Sequence, residues 1–455
     1  MTNPTPDERR PGPLAGLRVL DSAAVWAMPL AAAMLSDLGA DVIKVESTVR
    51  LVRGGEPYPD NEPTENHFNR GGVFAALNRG KRSLTLNFGA ERGIELFKDL
   101  VAKSDILIDN NRPGVMKRLG IDYPVLSKIN PRLIHLSNSG YGQTGPWTQY
   151  GAIALGLEPT TGVSSLTGYR DGPPQRWNYL TDFPTGMMAV FAILGAVRHL
   201  RRTGEGQWID LCMYEIGAAM LGPELMEYTV NGRVPPRRGN RSPYLEQGVY
   251  PCAGDDRWVA ISVRNDDDWT ALCRAMGRPE LETDTRFSSK GARQRNHDAF
   301  DELLGAWTRT RDAHDVMRAL QAAGVPAGAL LDVRDMFADP QLRARGFWQM
   351  VGNEETSPVG RRPYPTGGWK LSRTPMRVAG PPSTLGQHNA EILTGLLGVR
   401  PDELAALEAE RVVGTTPVPP GPIPRVAPFE DRIASGQWQS RDRDFAQKIR
   451  DALES

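Results

Sequence analysis

The stretch LRVLDSAAVWAMPLAAAMLSDLGADVIKVE, residues 17–46, decides the fold class. Its first five residues, LRVLD, and its last six, DVIKVE, are short apolar runs of the kind found in buried strands. The residues between them, 26–38, have the composition of a helix, and Gly39 suits the left-handed residue that often follows a helix. Two strands joined by a helix predict a right-handed βαβ unit.

The same alternation continues along the chain. Further strands are predicted at 83–87, 105–109 and 133–137, and helices at 91–103 and 124–129. This order predicts an α/β fold with a doubly wound parallel sheet. Such sheets bind ligands beyond the carboxyl ends of their strands. The polar segment 47–78 is predicted to be a long surface loop.

A second informative stretch is RWNYLTDFPTGMMAVFAILGAVRHLRRTGEGQWIDLCMYE, residues 176–215. It predicts a helix that starts near Asp182, stops at Gly204 and is apolar nearly all round, so that it should be buried. A carboxylate at the start of a helix lies near unpaired backbone N–H groups, which suit an anion. The alternative is that Asp182 caps the helix, which is the commoner role for such a residue.

The bulk composition narrows the class of protein. The chain has 455 residues, with 54 Lys and Arg against 54 Asp and Glu, so charge gives no reason to expect nucleic acid or an anionic membrane as a partner. Three cysteines without metal spacing favour a reducing compartment. The first residues lack a secretory signal, and the apolar run 187–197 is too short to span a bilayer. These features predict a soluble, cytoplasmic protein.

Several common catalytic motifs are incomplete or missing. Gly140, Gly142 and Gly145 form G-x-G-x-x-G after a predicted strand, but Pro146 follows where a nucleotide-binding helix should open. The motif therefore favours a tight loop beside a ligand over a nicotinamide site. No G-x-S-x-G elbow is present, and the six histidines lack metal-ligand spacing. A metal site is not predicted.

Two groups of basic residues lie next to predicted strands, one just before a strand and the other just after one. The first basic cluster is Arg79, Lys81 and Arg82, in the segment NRGKR. The second basic cluster is Arg112, Lys117 and Arg118. Both suit a polyphosphate ligand, because Arg and Lys pair with phosphate oxygens. The alternative for each cluster is ordinary solvated surface charge.

The ordered set of segments resembles the family III CoA-transferases, which include formyl-CoA transferase and carnitine CoA-transferase. The resemblance covers roughly residues 14–400. The matching segments, in order, are LAGLRVLD, LSDLGADVIKVE, LNRGKRSLTLN, DILIDNNRPGVMKRLGID, NPRLIHLSNSGYGQTGP, DGPP, TDFPTGMMA, RRTGEGQWIDLCMYE and LGQHNAEIL. Any one of these segments is weak alone, and their common order is specific.

The resemblance implies a Rossmann-like large domain built from both ends of the chain, a smaller α/β domain and an interlocked homodimer. The expected divisions are a disordered arm at 1–13, the large domain at 14–215, a linker at 216–246, the small domain at 247–335, a return to the large domain at 336–412, and a Pro-rich and polar tail at 413–455.

The resemblance also implies the chemistry. CoA would pass from an acyl-CoA thioester to a free carboxylic acid, through an acyl-aspartyl anhydride and an aspartyl-CoA thioester at Asp182. Acyl-CoA and the acid would be substrates, with no permanently bound cofactor and no metal. The implied contacts with CoA are Ala27, Lys81, Asn110, Asn111 and Arg118.

The chain departs from the family pattern near the acyl group. The family's A-G-P after the first strand is A-M-P at 27–29, and Trp26 stands where some members carry a polar residue. The His-Asp pair of the related α-methylacyl-CoA racemases is missing from 150–156. An acyl-CoA racemase or epimerase and a non-catalytic CoA-binding homologue remain the alternatives. A bulky or aromatic acyl group is suggested by Trp26, Met28, Trp177, Tyr179 and Met187.

Overall fold

The structure is a computed structural model that describes residues 11–175 and 179–454, without the side chains of Ala154 and Glu454. Most of the predicted N-terminal arm and Trp177 lie outside the described residues. The chain divides into two compact units: the first contains residues 11–161, 179–221 and 339–454, and the second contains 162–175 and 222–338. All of the residues 247–335, predicted as the small domain, lie in the second unit, which also includes 162–175, 222–246 and 336–338.

A six-stranded parallel sheet forms the centre of the first unit. Its strands are β1 (Arg18–Asp21), β2 (Asp41–Glu46), β3 (Arg82–Thr85), β4 (Ile106–Asp109), β5 (Ile134–Ser139) and β6 (Gln207–Cys212). Their order is β3-β2-β1-β4-β5-β6, and each neighbouring pair is parallel. The prediction of an α/β fold with a parallel sheet is confirmed. The order reverses between β1 and β4, which creates a crevice for ligands at their carboxyl ends.

The sheet separates two hydrophobic layers, because successive side chains of a strand point to opposite faces. Val19 faces the layer that contains the helix Ala27–Asp37, whereas Leu20 faces the layer that contains the helix Glu91–Ala102. In the ladder, Leu20 lies opposite Ile43 of β2 and Leu107 of β4. The central strands are therefore apolar on both faces, as expected for a covered parallel sheet.

The remaining helices of the first unit up to Ala219 are mostly short. Segment 47–78, predicted as a loop, contains three of them. The helices are Pro59–Asn61, His67–Arg70, Gly72–Asn78, Val115–Arg118, Tyr123–Ile129, Ala154–Thr160, Asp182–Thr203 and Met213–Ala219.

The helix Asp182–Thr203, here called the site helix, ends as predicted. Gly204 has φ 81°, and its N–H donates to the carbonyl of Leu200 at 2.8 Å. The prediction that this helix is buried nearly all round is wrong for the described chain: Met187 is 55% and Phe191 72% exposed. Only the side that carries Ala189, Ile193 and Val197 belongs to the sheet's hydrophobic layer, so the opposite apolar side is left uncovered.

The site helix also changes the estimate of what could cross a membrane. The apolar run recognised in the sequence covers only 187–197, whereas the helix has 22 residues and a mean hydropathy of 1.4 in its most apolar window. By length and composition it could span a bilayer, but the core helix of a soluble protein meets the same criterion, and 44% of that window is buried inside the protein.

The second unit contains an antiparallel sheet of three strands in the order Glu246–Pro251, Trp258–Val263 and Ala327–Ala329. Val259, Ile261 and Phe300 belong to its core. The predicted linker 216–246 contains a helix in this unit. The helices are Val163–Leu166, Gly222–Asn231, Asp266–Ala275, Pro279–Thr283, Lys290–Arg295, His297–Thr308, Ala313–Ala322 and Val333–Ala338.

The C-terminal part of the chain returns to the first unit. It forms a hairpin of Trp348–Val351 and Arg362–Pro365. Its side chains and backbone also cover β3: the N–H of Thr85 donates to Asn389 Oδ1 at 2.9 Å, and that of Asn87 to the Val412 carbonyl at 2.8 Å. The helices here are Pro340–Ala344, Glu391–Leu396, Pro401–Ala409, Phe429–Ala434 and Phe445–Glu454.

Candidate active site

Asp182 lies in the first turn of the site helix without capping it. The N-cap is Thr181, and no side chain makes a capping bond there. The carboxylate instead has a hydrogen bond with the backbone of Ala27, at the start of the helix Ala27–Asp37. This approach needs Gly186, because a Cβ there would lie 2.9 Å from the Ala27 carbonyl oxygen. The capping alternative is therefore wrong, and Ala27 and Asp182 are brought together.

The environment of Asp182 makes its carboxylate unusually basic. Burial raises its pKa to about 6, the nearby carboxylate of Glu158 adds to the rise, and the hydrogen bond with Ala27 opposes it. Among the described residues no Lys or Arg forms an ion pair with Asp182. A carboxylate in this position is largely ionised at neutral pH and binds a proton more strongly than an ordinary aspartate does.

Glu158 is a site residue that the sequence analysis missed. It is 1% exposed, and its Oε1 accepts only a long bond of 3.5 Å from the N–H of Thr181. Its Oε2 has no partner in the described part of the chain, nor do the buried hydroxyls of Thr181 and Thr185. Buried polar atoms without partners are rare and require an explanation such as water or a ligand. The signal available beforehand was a lone acid in the predominantly apolar segment GAIALGLEP.

All three residues of the first basic cluster form ion pairs with aspartates of the first βαβ unit. Each of its three cations has its own aspartate, at 2.6–2.7 Å. The pairs are Arg79–Asp37, Lys81–Asp21 and Arg82–Asp41. Arg79 and Lys81 are buried. Neither phosphate binding nor solvated surface charge, the two alternatives for this cluster, therefore describes these two residues.

Lys81 has no free donor in this structure. It is 3% exposed, and its ammonium donates to Asp21 Oδ2 at 2.7 Å, to the carbonyl of Pro29 at 2.8 Å and to Asn78 Oδ1 at 2.8 Å. Burial lowers its pKa to about 8, although Asp21 works in the opposite direction. An ammonium group has three donors, so the geometry makes Lys81 an internal brace of the turn that follows β1.

Asp21 interacts with the ammonium groups of two lysines, Lys44 and Lys81. It is fully buried, and burial alone would raise its pKa, but Lys44 and Lys81 hold that pKa below the usual range. Its Oδ1 also accepts the N–H of Ala23 at 3.0 Å. The turn beyond it contains Val25 at φ 74°, a conformation that is strained for a β-branched residue. Strain of this kind often accompanies functional sites.

The residues after β4 meet the same turn. Asn110 exchanges two hydrogen bonds with the backbone of Ala24, at 2.8 and 2.7 Å, and so joins the ends of β1 and β4 at the crevice. The Asn111 side chain contacts Asp109 and Met116. Arg118 is exposed, and no carboxylate pairs with it among the described residues. Of the predicted CoA contacts, Ala27 and Asn110 thus border the turn. Arg118 is an exposed cation a few residues after Asn110 in the chain. Lys81 is buried behind the turn.

Comparisons with known proteins identify the family of this chain. The family model described as CoA-transferase family III matches residues 14–389. Succinyl-CoA--D-citramalate CoA-transferase of Chloroflexus aurantiacus is 35% identical over 412 residues, which are 89% of this chain and 99% of that protein. Succinate--glutarate CoA-transferase of Agrobacterium fabrum is 34% identical over 399 residues, 85% of this chain and 96% of that protein.

A solved structure extends the likeness to three dimensions. The crystal structure of a CaiB/BaiF family protein from Brucella suis is 34% identical, covers 85% of this chain and 100% of its own, and superposes with a TM-score of 0.76. Family model, relatives and fold all identify the same group. The chain belongs to CoA-transferase family III and is an enzyme of that type.

Proposed function

We propose that Asp182 is the covalent nucleophile through which this enzyme moves CoA from an acyl-CoA thioester to a free carboxylic acid. The observation that carries the proposal is a carboxylate bound by the Ala27 backbone, with a pKa of about 6 and no cationic partner among the described residues. An oxygen whose charge is not neutralised by a cation, and whose basicity is raised, is the better nucleophile.

Four steps complete the transfer. The carboxylate of Asp182 attacks the thioester carbonyl, which releases CoA thiolate and leaves an acyl-aspartyl anhydride. The thiolate attacks the aspartyl carbonyl, forming aspartyl-CoA and the free donor acid. The acceptor carboxylate attacks this thioester, giving a second anhydride and thiolate. The thiolate then attacks the acceptor's carbonyl, so that the new acyl-CoA leaves and the Asp182 carboxylate is restored.

CoA must remain bound while the acids exchange, and the residues beside the crevice suit this task. Ala27, Asn110, Asn111 and Arg118 would hold the nucleotide end, so that binding energy remote from the reaction keeps the thiolate in place. Lys81, which the resemblance implied as a direct contact, would act through the turn after β1. CoA enters as a substrate, and the proposal includes no permanently bound cofactor and no metal.

The relatives indicate the kind of acid. Their names specify succinate, D-citramalate and glutarate, all small carboxylic acids. A carboxylic acid acceptor and an acyl-CoA donor are therefore proposed here. We place the enzyme in the cytoplasm, without nucleic acid or membrane as partner, because its chemistry uses soluble metabolites and the chain's formal net charge is zero.

The enzyme is further proposed to be an interlocked homodimer. The support is the uncovered apolar side of the site helix, where Met188, Phe191 and Leu194 are 38–72% exposed. Exposed apolar patches of this kind mark protein–protein contacts. Sedimentation should show a dimer at low micromolar concentration that does not separate without unfolding. A folded monomer would reject the proposal.

The test of Asp182 combines trapping with substitution. Incubation with acyl-CoA and hydroxylamine should place a hydroxamate on the Asp182 peptide, measured by mass spectrometry. Asp182→Asn should retain the fold and CoA binding, because residue 182 makes no capping bond, yet lose nearly all transfer, because an amide is a poor nucleophile. Asp402→Asn, in the first turn of another helix, is the matched control and should remain active.

Two results would overturn this assignment. An active Asp182→Asn variant, with no modification of residue 182 in the wild type, would exclude Asp182 as nucleophile. Exchange of the α-deuterium of an acyl-CoA without movement of CoA between acids would instead indicate the racemase alternative.

A further inference from the structure

A large apolar cavity lies in the first unit, next to residues that neighbour Asp182 in the chain. Its volume is about 810 Å³, which is in the range of pockets for drug-sized ligands. Two of its lining residues flank the proposed nucleophile: Phe183 follows Asp182 in the chain, and Trp26 precedes Ala27, whose backbone binds Asp182. The ring centroids of Trp26 and Phe183 lie 6.1 Å apart. The cavity is therefore lined by the chain neighbours of Asp182 and Ala27.

The lining of the cavity is mainly aromatic and aliphatic. Leu30, Met34 and Met187 continue the wall from the two helices, and Tyr364 and Trp369 contribute from the C-terminal hairpin and the loop after it. Of the residues named for a bulky acyl group, Trp26 and Met187 line the cavity, and the centroid of the Tyr179 ring lies 4.2 Å from that of Trp26. Met28 is fully buried in the core, and Trp177 lies outside the described residues.

The C-terminal tail supplies the remaining wall through Phe429, Arg441, Asp442 and Phe445. The guanidinium of Arg441 lies 3.7 Å from the centroid of the Phe429 ring and forms a cation–π contact with it. These residues come after residue 389, where the match to the family model ends. The tail is thus an addition to the part of the chain that identifies the family.

The tail is attached to the first unit by specific bonds. The N–H of Val418 donates to the carbonyl of Thr48 at 2.9 Å, and Asn61 Nδ2 donates to the carbonyl of Ala427 at 3.0 Å. Arg432, which is 6% exposed, pairs with Glu56 at 2.8 Å. All three contacts lie on segment 47–78. This segment, which also lines the cavity through Tyr58, is therefore the anchor of the tail.

We propose that the tail completes an acyl-group site and selects thioesters of large apolar carboxylic acids, aromatic or branched, over those of small dicarboxylic acids. The inference rests on the proposed function, because it assumes that the acyl carbonyl reaches Asp182. An apolar acyl group gains free energy in proportion to the area it buries against these rings. A succinyl group would leave most of the cavity unfilled and would bury less apolar area against these rings.

The test compares two donors in the full-length enzyme, 3-phenylpropanoyl-CoA and succinyl-CoA, with acetate as the common acceptor. We expect the wild type to prefer the phenylpropanoyl donor in kcat/KM by about tenfold or more. Phe445→Ala and Phe429→Ala should each reduce that preference about fivefold or more, and leave kcat/KM for succinyl-CoA within about twofold. Arg450→Ala, on the same tail helix but outside the cavity lining, is the matched control.

A second variant narrows the cavity from the opposite wall. Met187→Trp should reduce turnover of the phenylpropanoyl donor while sparing succinyl-CoA, with no dependence on how well the tail folds. Preference of the wild type for succinyl-CoA, or an unchanged preference in all three cavity variants, would overturn the inference while the transferase proposal stands. Inactivity of the wild type with every donor would overturn both.

Discussion

Asp21 and Asp182 are two buried or partly buried carboxylates beside the same turn, and they have opposite electrostatic environments. Asp21 accepts an N–H from Ala23 and faces the ammonium groups of Lys44 and Lys81, and its pKa is lowered. Asp182 is bound by the backbone of Ala27 and faces another carboxylate, Glu158, and its pKa rises to about 6. The two backbone donors, Ala23 and Ala27, are four positions apart in the chain.

The contrast distinguishes a structural charge, Asp21, from the one proposed to react, Asp182. A neutralised carboxylate gives shape to the turn, because removing one partner would leave a charge buried and unpaired. A carboxylate that lacks a cation keeps its basicity and can attack a carbonyl. The same short turn thus needs one aspartate that does not react and another that can. Each of the following predictions changes one side of this comparison.

The largest expected effect is on the structural side. Lys81→Met keeps much of the side chain's volume but removes the ammonium from Asp21, Pro29 and Asn78. We expect a loss of about 3–5 kcal/mol in the free energy of unfolding, since the buried Asp21 would keep only the longer ion pair with Lys44, at 3.5 Å. Urea unfolding followed by circular dichroism measures it. The exposed Lys117→Ala is the control, and equal stability of the two variants would contradict the prediction.

The next effect concerns Arg118, with which no carboxylate pairs in the described part of the chain. Arg118→Ala should weaken CoA binding by about 1.5–3 kcal/mol, the value of a hydrogen bond to a charged group, without changing stability. Isothermal calorimetry with CoA measures the affinity. Lys128→Ala, an exposed cation on the nearby helix Tyr123–Ile129, should bind CoA like the wild type. If both variants bind equally well, Arg118 is not part of the site.

A smaller effect should follow from removing the like charge near Asp182. With a pKa of about 6 for Asp182, transfer should fall as pH decreases through 6. Glu158→Gln keeps the size of the side chain but lowers that pKa, so the acid limb should move down by about one pH unit. The pH dependence of kcat/KM tests this. A lower rate at every pH with an unmoved limb would indicate a purely structural role for Glu158.

The smallest effect is on stability. The pKa of Asp182 is raised from 3.8 to about 6 in the folded protein, so stability is fully present below pH 4 and decreases as pH rises through 6. Asp182→Asn removes this decrease. Allowing for solvent access, the variant should gain about 1–2 kcal/mol over the wild type at pH 8 and nothing at pH 4. Unfolding at both pH values checks the sign, and an equal gain at pH 4 would contradict it.

Local patterns predicted most of the fold. DVIKVE is a strand at its predicted bounds, and Gly204 ends the site helix as expected, because alternation, apolar runs and left-handed glycines are local signals. The partners of Lys81 could not be predicted, since Asp21 lies 60 positions away and only the sheet order brings the two together. The same applies to Glu158, whose importance depends on its distance from Asp182 in space.

One connection in the first unit has a consequence for biosynthesis. The edge strand β3 bonds through Thr85 with Asn389, 304 residues later in the chain. At translation rates of about 5–20 residues per second, that partner follows roughly 15–60 s after the strand itself. During this interval β3 is a nascent edge whose backbone could pair with another chain. Slow synthesis or missing chaperones should therefore lower the yield of this enzyme through aggregation before they affect its activity.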